Sequence, residues 1–321
     1  MTQTTNPVPE RMRTVVLDGF GGPDLLRLVG RPVPAPGAGE VLVEVWAGGV
    51  NAIDLATRAG RGVPVPRFPA VLGWDVSGVV VGLGAGVTGL AAGDEVFGLL
   101  RFPDLAGGYA QYVVAPAAQL ARKPAGVSHR AAAGAPMPAL TAWQSLVTHA
   151  KVARGQRVLI SGAAGGVGHI AVQLAHAAGA EVIGTATGVN HEFVSSLGAD
   201  QMIDYTRQRI TQVAKDVDVV LDPRGGMDFV QLLDVIKPGG IIVTLKDKEP
   251  GQEDLARSRG LRVAYTRVAP DGAVLGEFAK LLADGQVRVA VEQAFLLEEA
   301  GAAHLAGERG HVQGRIVLEM R

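Results

Sequence analysis

The segment Leu159-Ile160-Ser161-Gly162-Ala163-Ala164-Gly165-Gly166-Val167-Gly168 constrains the fold of this chain more than any other. It leaves a short apolar, β-branched run, Val158–Ser161, and opens a stretch, Val167–Ala178, whose Ala, Val and Leu face one side of a helix. Each glycine has a steric use in a strand–loop–helix turn. Gly162 allows the tight turn, Gly165 lets the backbone approach a pyrophosphate, and Gly168 lets the helix pack closely on the strand. The helix start offers unpaired N–H groups and a partial positive charge to a phosphate. Ala163 and Ala164 relax the usual glycine pattern. The competing reading is a glycine-rich turn packed for steric reasons alone; the strand–loop–helix context favours dinucleotide binding.

Around this loop the chain alternates strand and helix signals. Strands are expected at Glu181–Thr185, Gln201–Asp204, Val217–Leu221, Ile241–Leu245 and Arg262–Thr266, with a helix at His191–Leu197. Short strands alternating with helices imply a doubly wound parallel sheet. Before Lys123-Pro124 the rhythm differs. Arg13–Leu17, Val41–Trp46, Val76–Val81, Glu95–Phe97 and Tyr109–Val114 read as strands, separated by turns such as Gly21-Gly22-Pro23 and Gly93-Asp94. That is the pattern of a small barrel. The tail adds a helix at Gly276–Ala283 and strands near Val287–Val291 and Arg315–Glu319. The fold class is α/β with two domains: 1–124 completed by 269–321, and 125–268.

Composition narrows the chemistry. The chain has 321 residues, 44 glycines and no cysteine. It is long enough for a sizeable core without disulfides. Without cysteine there is no thiolate nucleophile and no cysteine-based zinc or iron–sulfur site. Lys and Arg number 30 against 31 Asp and Glu, so the formal charge is -1 and no basic excess suggests a nucleic-acid partner. The uncharged runs Ala131–Ala150 and Leu159–Ala180 are interrupted by Pro136 and Pro138 and by the glycine cluster, so neither reads as a membrane span. Met1–Arg13 lacks the apolar stretch of a signal peptide, and a cytoplasmic location fits.

The residues after the second strand of the alternating region decide between dinucleotides. An NAD-type site places Asp or Glu about 20 residues beyond the glycine loop, at that strand's end. Here the end reads Gly184-Thr185-Ala186-Thr187-Gly188-Val189-Asn190. Hydroxyl side chains without a carboxylate suit a 2′-phosphate and favour NADP over NAD. The stretch also lacks Arg and Lys.

These segments, with Gly49-Val50-Asn51-Ala52-Ile53-Asp54, Gly73-Trp74-Asp75-Val76-Ser77-Gly78, Gly93-Asp94-Glu95-Val96-Phe97-Gly98, Leu140-Thr141-Ala142-Trp143, Leu197-Gly198-Ala199-Asp200, Lys237-Pro238-Gly239-Gly240 and Gly314-Arg315-Ile316-Val317-Leu318, stand in a specific order and spacing. In that order the chain resembles the zinc-independent, NADPH:quinone oxidoreductase (zeta-crystallin-like) branch of the medium-chain dehydrogenase/reductase superfamily. The resemblance implies a GroES-like β-barrel domain, a Rossmann domain, an active-site cleft between them and a homodimer. It implies cofactor contacts for NADP(H) at Thr141, Gly162, Ala163, Gly165, Gly166, Val167, Thr185, Thr187, Asn190, Tyr205, Leu245 and Lys246, beside the turn Asp222-Pro223-Arg224-Gly225-Gly226. Relatives often carry a basic residue near Val189; Lys246 or Arg315 is left to compensate. Zinc-containing relatives have Cys where Asn51 stands and His-Glu where Trp74-Asp75 stand, so no bound metal is expected.

Without a Lewis acid, hydride addition is easiest to a quinone or an α,β-unsaturated carbonyl, where negative charge spreads over the conjugated system. The expected function is NADPH-dependent reduction of such a small-molecule substrate. A dedicated biosynthetic enoyl reductase and an NADPH-binding sensor or structural protein are the alternatives. Asn51 is the candidate catalytic residue: its amide would donate to the substrate carbonyl or position the nicotinamide ribose, unless it only caps a turn. Trp74, Thr57, Arg58 and Phe68 are the candidate substrate-pocket residues. Asp54 and Arg58 are spaced to pair on a helical turn, Tyr109 and Tyr112 read as packing, and Trp46 reads as an exposed strand residue in preference to a substrate-pocket wall.

Overall fold

The computed structural model describes residues 8–223, 229–245 and 250–321. The chain folds as two compact units, Met1–Leu140 with Ala269–Arg321, and Thr141–Val268. Residues 125–140 fold with the first unit. There the helix His129–Gly134, capped by Ser128, buries its small residues Ala132, Ala133 and Gly134.

The first unit is built on a seven-stranded sheet. Its strands lie in the order Val291–Leu296, Arg315–Glu319, Glu40–Val50, Asp75–Leu83, Glu95–Leu99 and Leu120–Arg122, with Tyr112–Pro116 also paired to Glu40–Val50. The C-terminal strand therefore sits in the middle of N-terminal ones, Ile316 opposite Val50. A separate hairpin pairs Arg11–Leu17 with Leu26–Pro32. Alternation drives this sheet: Val41, Val43, Val45, Val76, Val80, Val96, Ile316 and Leu318 turn inward to one core. Several elements went unread in the sequence, for reasons that three of them illustrate. Leu26–Pro32 shows no buried residue, Leu120–Arg122 is three residues long, and the helix Ala300–Arg309 is too rich in Ala and Gly to show a strong apolar stripe.

The second unit is a six-stranded parallel sheet. In chain order the strands are Arg157–Ile160, Glu181–Ala186, Gln201–Asp204, Val217–Asp222, Ile236–Thr244 and Arg262–Tyr265; in space the third, second and first precede the fourth, fifth and sixth. This is the doubly wound order, and the crevice where its direction reverses lies at the carboxyl end of the first strand. Val158, Leu159, Ile160, Val182, Ile183, Val220, Leu221, Ile242 and Val243 are fully buried, as sheets covered on both faces require. The fold is thus α/β, with a GroES-like unit and a Rossmann unit.

Candidate active site

In the Rossmann unit the strand Arg157–Ile160 runs into the loop 161–165 and then the helix Gly166–Ala177. Gly162 takes φ +62°, a left-handed conformation that a side chain would disfavour. A Cβ on Gly168 would lie 2.2 Å from the Gly162 carbonyl oxygen and 2.8 Å from Ala163 Cα, so helix and loop touch through backbone. Gly165, at the helix N-cap, differs: a Cβ there would meet only the Gly162 oxygen, at 3.4 Å. Space over Gly165 is therefore open where space at Gly168 is closed. The first turn, Gly166-Val167-Gly168, presents amides that no helical carbonyl reaches. This cradle fits a pyrophosphate.

The neighbouring strand holds the cradle in shape. Thr185, fully buried, accepts from the Gly162 N–H on its hydroxyl at 3.1 Å, and its carbonyl accepts from the Ala163 N–H at 2.9 Å. Ala163 is itself buried. These two expected cofactor contacts thus shape the loop from beneath. Thr187 and Asn190 sit on the following turn, where the Asn190 amide donates to the Thr187 hydroxyl at 3.2 Å. Tyr205 is half-buried just past the strand Gln201–Asp204, and Leu245 is half-buried at the end of Ile236–Thr244. Thr141 is 4% exposed, and its carbonyl accepts from the Ser145 hydroxyl at 2.7 Å. Lys246 and Arg224-Gly225-Gly226 lie outside the described residues.

In the GroES-like unit, Asn51 sits in a buried polar network. It precedes the helix Ala52–Arg58 and is 4% exposed. Its Nδ2 donates to Asp75 Oδ2 at 3.0 Å, and its Oδ1 accepts from Arg315 Nη2 at 2.7 Å. Arg315 also reaches Asp75 Oδ2 at 3.3 Å, and the Met137 N–H donates to Asp75 Oδ1 at 2.8 Å. Burial pushes the Asp75 carboxyl up to about 6 against the pull of Arg315, and burial lowers the Arg315 guanidinium. Asp54 lies one step further in. It accepts from the Asn51 N–H at 2.9 Å and the Gly73 N–H at 3.0 Å, and burial raises it to about 7. The Tyr109 hydroxyl meets His304 Nε2 at 3.1 Å, and burial holds His304 neutral, down to about 3.

Two expectations change here. Asp54 does not serve Arg58: its oxygens turn to backbone amides, and Arg58 bonds the Gly21 carbonyl and Glu308. Helical spacing permitted the first pair, but buried N–H groups without acceptors outrank a pairing that Glu308 can satisfy. Arg315 likewise does not supply a cation for a phosphate, because Asp75 and Asn51 hold it inside the other unit.

The expected pocket residues separate. Trp74 is fully buried, its indole N–H on the Asp104 carbonyl at 2.8 Å and its ring edge-on to Phe102. Thr57 and Arg58 are also sealed, the Thr57 hydroxyl accepting from the Val63 N–H at 3.1 Å. Phe68 alone reaches the surface, edge-on to the exposed Phe20 with ring centroids 5.0 Å apart. Tyr109 is packed in the core, and Tyr112 bonds Glu44. Trp46 is 40% exposed, stacked on His129 with Arg321 above its ring. Among the described residues no group of three or more His, Cys, Asp or Glu could hold a metal ion.

Comparison with known proteins identifies the relatives of this fold. Residues 37–125 match the alcohol dehydrogenase GroES-like domain, and residues 197–318 match the family described as zinc-binding dehydrogenase. The NADPH-dependent alkenal/one oxidoreductase of Arabidopsis thaliana chloroplasts is 33% identical over 97% of this chain and 80% of its own. The quinone oxidoreductase structure from Coxiella burnetii is 36% identical with TM-score 0.91, covering 97% of this chain and all of that one. The Escherichia coli quinone oxidoreductase complexed with NADPH is 29% identical with TM-score 0.86, over 96% and 99%. With family models matching residues 37–125 and 197–318, and with relatives at 33% and 36% identity over 97% of this chain, the chain belongs to the medium-chain dehydrogenase/reductase superfamily, in its quinone oxidoreductase branch.

Proposed function

We propose that this protein is an NADPH-dependent reductase of quinones or α,β-unsaturated carbonyls that works without a metal. The observation that carries the reading is the glycine loop, open above Gly165 and closed beneath Gly168, on a chain whose relatives are named for this chemistry. NADPH, when bound, supplies the hydride. The chain binds and orients: the amides of Gly166-Val167-Gly168 receive the pyrophosphate, and Thr187 and Asn190 offer donors at the strand end. Asn51 presents a directed donor. Its amide nitrogen carries two N–H groups, and Arg315 on Oδ1 and Asp75 on one N–H fix where the other points. That N–H would donate to a developing oxyanion or hold the nicotinamide ribose.

The test is NADPH oxidation with a panel of quinones and enones, repeated with NADH and with a chelator. Turnover with NADPH, unchanged by the chelator, is expected. Tight NADPH binding without turnover of any panel member would overturn the reading, and an Asn51→Ala variant of full activity would remove Asn51 from it. We further propose a cytoplasmic homodimer paired through Arg262–Tyr265, the edge strand of the Rossmann sheet, whose outer backbone groups have no neighbouring strand among the described residues. A monomeric mass in solution would refute the pairing. No helix among the described residues is long and apolar enough to cross a membrane.

A further inference from the structure

The turn after Glu181–Ala186 carries Thr187, Gly188, Val189 and Asn190, with no lysine or arginine. A 2′-phosphate bound there would meet neutral donors only. The fold brings a cation from the next strand. Gln201–Asp204 runs parallel beside Glu181–Ala186, with Asp204 opposite Ala186, so both strands end at the same level. Asp204 then ties the two turns together. Its Oδ2 accepts from the Gly188 N–H at 3.1 Å, and its Oδ1 accepts from the Thr206 N–H at 3.0 Å and the Thr206 hydroxyl at 2.6 Å. Three of its acceptor directions are therefore taken, and Asp204 is a clamp on the turn, poorly placed to receive a ribose diol as well.

Arg207 follows on the same loop. Its Nε is 3.7 Å from Asp204 Oδ2, and its side chain is 84% exposed. That distance is too long for a hydrogen bond. At such exposure the pair contributes little to stability. The guanidinium is thus steered to the Gly188 turn by Asp204 and left able to turn to a stronger anion. Arg207 has no other ion pair among the described residues.

We propose that Arg207 is the cation that contacts the 2′-phosphate of NADPH and sets the preference of this enzyme for NADPH over NADH. The inference rests on the NADPH reading above and adds the residue that enforces it. Arginine suits the task, because its planar fork can give two N–H groups to one phosphate. Asp204 fixes the loop from which the fork projects, and Thr187 and Asn190 add neutral donors.

The test uses cofactor fragments and needs no turnover. Isothermal titration of wild type, Arg207→Gln and Arg207→Lys with 2′,5′-ADP and with 5′-AMP separates the 2′-phosphate from the rest of the nucleotide. Wild type should bind 2′,5′-ADP more tightly. Arg207→Gln should weaken 2′,5′-ADP by about tenfold or more, the scale of a charge-assisted bond, and leave 5′-AMP unchanged. Arg207→Lys should lose less, and added salt should shrink the wild-type preference because the site is exposed. The unfolding midpoint of Arg207→Gln should match wild type. Equal weakening of both fragments, or an undiminished preference for 2′,5′-ADP in Arg207→Gln, would overturn the assignment. A wild type that binds both fragments alike would instead refute NADPH preference itself, and Arg207's role with it.

Discussion

Replacing Gly162, Gly165 and Gly168 of the nucleotide loop by alanine, one at a time, should produce three different failures, because the backbone treats these positions differently. At Gly168 the new Cβ would sit 2.2 Å from the Gly162 oxygen and 2.8 Å from Ala163 Cα. Both obstacles are backbone, so relief requires the helix Gly166–Ala177 to move off its loop. Forcing a methyl into a packed site costs typically about 1–3 kcal/mol and occasionally more, and unyielding backbone on both sides puts Gly168 at the upper end. At Gly162 the obstacle is conformational: φ is +62°, and an L-residue pays roughly 1–2 kcal/mol there. At Gly165 neither obstacle applies. Its φ of -80° and ψ of -179° are open to alanine, and the nearest atom stands 3.4 Å away. Losing glycine at an N-cap costs about 1 kcal/mol or less. Yet that methyl would occupy the space left for a pyrophosphate. Thermal unfolding should therefore rank Gly168→Ala as the most damaged, Gly162→Ala as intermediate and Gly165→Ala as nearly intact. NADPH titration should show Gly165→Ala as the variant that folds and does not bind. Wild-type affinity in a folded Gly165→Ala would refute the assignment of the loop. A Gly168→Ala as stable as wild type would refute the steric argument.

The buried network yields an ordered pair of outcomes. Asp75→Asn leaves Arg315 without its anion, and arginine cannot shed its proton, so a loss of about 3–5 kcal/mol is expected. Arg315→Met should cost less, because Asp75 can take up a proton; denaturant titration giving the reverse order would contradict this. Asp54 is raised to about 7 from 3.8, so the native state keeps a proton that the unfolded chain has lost. Its contribution to stability is full below about pH 4 and is lost as pH rises through 7. Asp54→Asn should remove that slope, at the cost of one amide acceptor, and an unchanged slope would refute the burial argument. His304 has the opposite sign: lowered from 6.5 to about 3, it leaves the native state short of a proton, and stability is lost as pH falls below about 6.5. Urea midpoints of His304→Gln across that range should be flatter than wild type; parallel curves would refute it.

How far the sequence could be read depended on how local the cause was. The roles of Gly162 and Gly168 were legible because a turn and a close helix–loop contact lie within seven residues of chain. The sheet of the Rossmann unit was legible because continuous Val, Ile and Leu runs can only be buried on both faces. The hairpin strand Leu26–Pro32 was not, because an exposed strand has no apolar alternation. Asp54 was misread for a physical reason: spacing shows what a carboxylate can reach along its own helix, and not the backbone amides that arrive from Gly73.

The sequence by itself determined the two-part α/β architecture and the steric form of the glycine loop. Periodicity, steric need and residue chemistry act over a few neighbours, and one chain displays them. Tertiary structure alone decided what surrounds Asn51. Asn51, Asp75 and Arg315 meet across 264 residues because the C-terminal strand inserts beside Glu40–Val50. The same holds for Arg207, carried to the Gly188 turn by the parallel register of two strands and the clamp of Asp204. Buried charges demand partners and strand ends bring loops together, but which partners and which loops depends on the closed fold.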